Sequence, residues 1–362
     1  GPARPEPQLV LNKQTPIPCL RHDLPTHQLA YALTYFDLSH LAFSELPYVT
    51  VLARLMQQLA TERMSASELD SYIGANLASS PSPPRSPHSP TGSSRARACW
   101  SPREPVREDG RPGEHPARVW ATTIFEDTDR MRDVLTQMRI GMEQGFLMNG
   151  HSAALARAMS YVSPAAVLTQ QLSGIDFYRF LRDLLEHFDE RKDALCDTLR
   201  DLRERIFTST GGIASFTGSD EDFRRYWRPR VTGPRPPAPA PAKELYVPWP
   251  EDKHEAFIIP SDVSYLARAC DPRVLGIETD GVWSVASNAL SYDYLWNEIR
   301  VKGGAYGCGF RSPSPRHASF YTYRDPAIDR RSRASRPPAT GSRRLRRHSD
   351  LRGLHRELCF GC

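Results

Sequence analysis

No apolar run in this chain is long enough to cross a bilayer, and no charged, apolar and small-residue leader opens it, so neither a membrane span nor an export signal is expected. Cysteine is scarce. Seven residues, odd in number and scattered, exclude a disulfide framework and point to a reducing compartment. The terminal Cys359-Phe-Gly-Cys362 has the spacing of a metal knuckle but no second pair to complete one. An inverted zinc motif, His-x-x-Glu-His, is also missing: Glu186-His187 has Asp183 where the first histidine should stand, and His254-Glu255 meets Ile258 where the ordinary form needs histidine. His40 has no ligand partner at useful spacing, and His151 and His187 read as surface or capping residues. Nucleophile elbow, phosphate loop and paired-carboxylate motifs are absent too. The expectation is a chain with no metal site and no catalytic engine of its own.

Charge excludes little. The net +5 comes from arginines crowded into two aperiodic stretches, with no basic face or aromatic motif of the kind nucleic-acid binding needs, so no nucleic-acid partner is expected. What the chain has in excess is proline, 32 in 362 residues, and its distribution draws the domain map. Residues 1–28 are proline-punctuated and predict disorder, with Gly1 to Pro7 reading as a fragment start or a cloning scar. Residues 29–227 predict an α+β domain. Leu29 to Leu38 is a buried strand, and Glu45-Leu46-Pro47 opens a helix with its proline in the first turn. Ser65-Ala-Ser-Glu68 starts a second helix as a capping box, running to Leu77. Helices follow over Asp127–Met148 (with Met131, Val134, Leu135, Met138 and Met142 inside), Ser152–Tyr161, Ala165–Leu172, Asp176–Phe188, Arg191–Phe207 and Asp220–Trp227, with a strand at Ile213–Phe216.

Within that domain, residues 78–118 turn to Ser, Pro, Arg and Gly and lack the aliphatic content to offset their ordering entropy, so they read as disordered. A Pro/Ser-rich regulatory linker and an out-of-frame stretch of a GC-rich gene both explain this composition. Residues 228–243 form a proline-rich linker, and 244–329 a second α+β domain. Strands are expected there at Leu245–Val247, Glu255–Ile259, Val263–Ala269 and Ser319–Tyr323. Residues 330–362 carry no core pattern and predict a disordered tail.

The most informative run is Ser291 to Phe310. A helix capped near Asp280 carries Val285, Ala289, Tyr292, Trp296 and Ile299 on one stripe and is stopped by Gly303 and Gly304; Ala305-Tyr306-Gly307 then forms a tight loop. A guanidinium on the last turn, Arg300, and a phenol six residues on, Tyr306, can converge to clamp a peptide main chain or a charged carbonyl oxygen. A helix-capping arginine beside a packed tyrosine is the plainer alternative.

Arg300-x-x-Gly-Gly-Ala-Tyr306-Gly after Leu-Trp-Asn-Glu-Ile resembles the second-half signature of the pitrilysin/insulinase zinc metallopeptidases, and Tyr292 through Cys308 most resembles the presequence-protease subfamily. Tyr35 to Leu41 and Glu45 to Tyr48 resemble the opening strand and helix of the same half. The resemblance implies two homologous α+β domains of antiparallel sheet packed with helices, the second truncated because the helices after its last strand are missing. It implies strands in 78–118 pairing with Leu29–Leu38. It implies Arg300 and Tyr306 as substrate-binding residues, with Gly303, Gly304 and Gly307 positioning the loop. Zinc belongs to the full-length enzyme, in an absent N-terminal half that would be this chain's partner, with unfolded peptide as substrate. A soluble, intracellular location follows: cytoplasmic in a bacterium, mitochondrial or plastid in a eukaryote. A non-catalytic peptide-binding or scaffolding homologue is the alternative, and an interaction protein built on the Pro/Arg-rich segments a third.

Overall fold

The computed structural model describes residues 8–10, 15, 18–26, 29–76, 97–100, 103–105, 122–207, 212–227, 245–251, 254–277, 281–314 and 316–326. The linker at 228–243, the Asp280 cap, the Cys359–Cys362 pair and the tail from 330 lie outside them. The chain forms two compact units, one of residues 1–139 and 171–247, the other of residues 140–170 and 248–362. Residues 140–170, placed with the first domain from sequence, cluster with the second unit.

The first unit is built on a sheet of strands β1 (Gln8–Val10), β2 (Cys19–Asp23), β3 (Leu29–Asp37), β4 (Arg97–Trp100), β5 (Arg103–Pro105) and β6 (Ile213–Gly218). The path is β1-β2-β6-β3-β4, with β5 also on β3; only β2 and β6 run parallel. Alternation in β3 buries Ala32, Thr34 and Phe36, and β6 offers Ala214 and Phe216 to the same core, joined by Cys19 and Phe223. β1 and β2 fall within residues 1–28 and β4 and β5 within the Ser/Pro/Arg stretch, which corrects the disordered readings at those positions; β4 and β5 pair with β3, as the resemblance implies. Their pairing with β3 supplies backbone partners that side-chain composition does not reveal.

Helices α1 (Leu46–Leu55), α2 (Ala66–Asn76), the first part of α3 (Thr128–Ser160), α5 (Ile175–Glu186) and α6 (Phe188–Ile206) contribute the larger core of this unit. Pro47 sits in the first turn of α1, and the Ser65–Glu68 box closes with Ser65 N–H donating to Glu68 at 2.8 Å and Glu68 N–H donating to Ser65 Oγ at 3.3 Å. Met131, Val134 and Leu135 are buried, whereas Met138 and Met142 are half-buried. Thr50 donates its buried hydroxyl to the Leu172 carbonyl in α4 (Pro164–Ser173), and Arg205 on α6 bridges Glu45 at 2.6 Å ahead of α1. A short helix α7 (Asp220–Tyr226) follows β6.

The second unit holds a three-stranded antiparallel sheet, β7 (Ala267–Cys270), β9 (His317–Tyr323) and β8 (Gly307–Ser314), in that order. Leu245–Val247 and Glu255–Ile259 are not strands: Tyr246 and Ile258 face solvent and find no ladder. The second stretch instead begins a strap along the end of α3. Glu255 takes Arg157 Nε at 2.5 Å and Nη2 at 2.9 Å and accepts the Tyr161 hydroxyl; burial and that bond push the Tyr161 phenol up to about 12. Ten residues on, Tyr265 donates to the Leu147 carbonyl at 2.5 Å, so the strap runs antiparallel to the helix. Glu255→Ala should cost roughly 1.5–3 kcal/mol, the range for hydrogen bonds to a charged group, because it removes the carboxylate that takes two bonds from the Arg157 guanidinium. Urea unfolding checks this, and a loss below about 0.5 kcal/mol would show that the strap is held elsewhere.

Candidate substrate-clamping site

Helix α8 (Val282–Ala289) passes without a break into a π-helix at Leu290–Val301, the signature helix itself. The widened turn is visible at its end, where Lys302 N–H donates to the Asn297 carbonyl five residues back, at 3.0 Å. The expected stripe is out of phase with the buried face in α8 and holds only in part beyond it, where Ile299 packs against the core. Val285 and Tyr292 are 69% and 64% exposed; the buried residues are Trp283, Ala286, Leu290 and Leu295, the last two five apart. Their core is completed by Phe310, Ala318 and Cys270, with Trp283 6.1 Å and Phe320 4.7 Å from the Phe310 ring. Ser291 Oγ accepts the Phe310 N–H at 3.0 Å, fastening the π-helix to β8.

The helix stops as expected. Gly304 takes φ +81°, which a side chain rarely tolerates, while Gly304 and Ala305 N–H groups cap the Arg300 and Ile299 carbonyls. Gly307 opens β8 rather than remaining in the loop, and a Cβ there would touch Tyr323 at 3.6 Å. The turn brings Arg300 and Tyr306 together. The Arg300 guanidinium lies 4.0 Å from the Trp296 ring centroid and 5.5 Å from that of Tyr306. No ion pair joins it to a carboxylate among the described residues, and its central carbon lies over two aromatic rings. Tyr306 is 66% exposed, and Tyr292 extends the aromatic surface with its ring 6.1 Å from Trp296.

The histidine and tyrosines behind Tyr306 were not singled out from sequence. Tyr306 stands edge-on to Tyr323 at 5.8 Å, and Tyr323 stands edge-on to His151 at 4.8 Å; Tyr265 and Tyr321 complete the group. His151 is therefore half-buried among rings, not a plain surface or capping residue. Burial and the nearby Arg311 hold its imidazole below the usual range, so it acts here as a neutral ring. The signal available in sequence was the alternation Tyr321-Thr-Tyr323, which puts both phenols on one face of β9, opposite Phe320 and Thr322.

Among the described residues no group of three or more His, Cys, Asp or Glu is placed to hold a metal ion. Nor does any described helix have the length and apolar character to cross a membrane.

This α+β architecture is that of the M16 peptidases: at 15% identity and a TM-score of 0.50, the fold matches the peptidase M16 inactive domain from Pseudomonas fluorescens over 88% of this chain and 73% of that one. Sequence narrows the class. The family model for the region associated with M16 peptidases of subfamily C matches residues 4–81 and 117–184, and that for the "PreP C-terminal domain" matches 254–358. The chain belongs with the C-terminal halves of the presequence-protease-like M16 metallopeptidases. The first match is interrupted over 82–116, within the Ser/Pro/Arg stretch, whereas the second continues through most of the tail read as patternless. Protein HypA of Clostridium perfringens is 24% identical over 86% of this chain and 32% of its own length; Presequence protease 1, chloroplastic/mitochondrial, of Arabidopsis thaliana is 26% identical over 85% and 29%. The chain thus spans about a third of the length of these relatives. M16 peptidases are in general zinc-dependent.

Proposed function

We propose that this chain is the substrate-clamping, C-terminal half of a peptide-degrading zinc metalloendopeptidase. Its zinc and the residues that bind the metal belong to an N-terminal partner half. The observation that carries this reading is the Arg300 guanidinium, lying over the Trp296 ring at 4.0 Å and 5.5 Å from the Tyr306 ring centroid, with no ion pair to a carboxylate among the described residues. A guanidinium so held presents parallel donors to peptide carbonyls or a terminal carboxylate without first having to be ordered. The exposed Tyr306 hydroxyl adds a donor where charge develops on a carbonyl oxygen. Unfolded peptide is the substrate class, since main-chain groups are what such a pair recognises. The presequence-protease relatives favour a mitochondrial or plastid location in a eukaryote.

The purified chain should bind fluorescein-labelled oxidised insulin B chain by fluorescence anisotropy, weakening at least tenfold in Arg300→Ala. It should not cleave that peptide, with or without added zinc. Chelator-sensitive turnover by the pure chain would overturn the division of labour. Wild-type affinity in Arg300→Ala would overturn the clamp.

A further inference from the structure

Tyr306 projects from a short loop and is mostly exposed, yet a clamp requires its ring to be fixed before substrate arrives. Its backbone gives one tether, Tyr306 N–H to the Arg324 carbonyl at 3.3 Å. The ring is left to Tyr323, whose own position can be traced to a break in α3. At Asn149 the backbone leaves the helical region (φ −132°, ψ 36°). Such a kink disrupts the ladder of helical hydrogen bonds and exposes carbonyls ahead of it to other donors. Two phenols take them: Tyr265 donates to Leu147 at 2.5 Å and Tyr323 to Met148 at 3.4 Å. The residue after the break, Gly150, has no side chain, and a Cβ there would lie 2.3 Å from the Tyr265 ring. The next, His151, meets Tyr323 edge-on at 4.8 Å and tilts over Tyr321 at 5.5 Å. Polar bonding does little to place it. Among the described residues His151 Nδ1 is buried without a hydrogen-bond partner and Nε2 meets the adjacent Ser152 hydroxyl at 3.3 Å, so ring packing sets its orientation.

We propose that Tyr323, seated on the broken turn of α3 and backed by His151, is the positioning residue that fixes the Tyr306 ring for substrate. The chain of contact is continuous: Met148 carbonyl and His151 ring to Tyr323, Tyr323 edge-on to Tyr306, Tyr306 against Arg300. Among the described residues the Arg300 guanidinium stacks on Trp296 and Tyr306 and not on Tyr323, so Tyr323 acts through Tyr306. The functional half of this inference rests on the clamp reading above; the structural half does not.

The test separates the two. The full chain is made with 3-fluorotyrosine at position 306 and followed by fluorine NMR. The neighbouring Tyr323 ring should shift the 306 resonance away from that of free 3-fluorotyrosine. Tyr323→Ala should move it most of the way back and narrow it. Tyr323→Phe keeps the ring and loses only the bond to Met148, so it should leave the resonance close to wild type. His151→Ala should produce an intermediate shift and decides the matter if circular dichroism shows Tyr323→Ala unfolded. An unmoved resonance in folded Tyr323→Ala, or in His151→Ala where that variant decides, overturns the inference. Labelled insulin B chain supplies the second readout: Tyr323→Ala should weaken binding about as much as Tyr306→Ala, and the double variant should be no weaker than Tyr306→Ala alone. Additive losses would overturn action through Tyr306. A moved resonance with wild-type binding in both Tyr323→Ala and Tyr306→Ala would leave Tyr323 as the ring's support and remove the clamp reading itself.

Discussion

Tyr306→Phe, in an enzyme completed by a zinc-bearing half, should lower kcat by roughly 10²–10³-fold, about 2.7–4 kcal/mol, with zinc content unchanged. The ring would keep its contacts with Arg300 and Tyr323, because those use the π face and edge and not the hydroxyl. Only the donor is lost, and among the described residues that hydroxyl has no protein acceptor to leave stranded. A loss confined to kcat would therefore report charge developing on a substrate oxygen, not refolding of the site. Arg300→Lys should impair the same enzyme for a different reason. It keeps the charge but gives up the planar fork and the stacking on Trp296 at 4.0 Å. Steady-state kinetics, zinc content and melting temperature for both variants separate the outcomes. A raised KM at wild-type kcat would assign Tyr306 to ground-state binding. Unchanged kinetics with lowered melting temperature would reduce the pair to helix-capping and packing residues.

The helices of the first unit were legible because each carries a long periodic pattern and a recognisable start, as at Ser65–Glu68 and Pro47. The strands β4 and β5 were not legible in composition; only the resemblance implies strands in 78–118, and Arg97–Trp100 and Arg103–Pro105 pair with β3 as it implies. The signature helix was legible in extent and in its glycine stop but not in its facing. In α8 the buried face runs Trp283, Ala286 and Leu290 at α spacing, out of phase with Val285 and Ala289, and i→i+5 bonding after Leu290 carries it on to Leu295. Of the site, Arg300 and Tyr306 could be paired from the turn alone. Their supports could not, because Trp296 was assigned to the core stripe and His151 lies far away in sequence, brought in by a kink that the sequence marks only with Asn149-Gly150.

That kink carries the second large expected effect. Gly150→Ala should destabilise the chain by about 1–3 kcal/mol, the usual cost of forcing atoms into a filled space. The added methyl group would sit 2.3, 2.7 and 2.8 Å from three carbons of the Tyr265 ring, which cannot retreat without releasing the Leu147 carbonyl. For a unit of this size that is a fall of several degrees, roughly 4 °C or more at the middle of the range. The controls lie in the same helix. At Gly141 and Gly145 a methyl group would meet nothing within 4 Å, so alanine there should stabilise by about 0.5–1 kcal/mol through helix propensity. The three substitutions are chemically identical, but Gly150 is buried beside the broken turn and the other two are exposed, so the sign alone does not isolate the Tyr265 contact. A double variant, Gly150→Ala with Tyr265→Ala, should be no less stable than Tyr265→Ala alone, since the clashing partner is gone. If Gly150→Ala instead raises the melting temperature as its two neighbours do, the close approach of Tyr265 to the broken turn is wrong, and with it the seat on which Tyr323 is held.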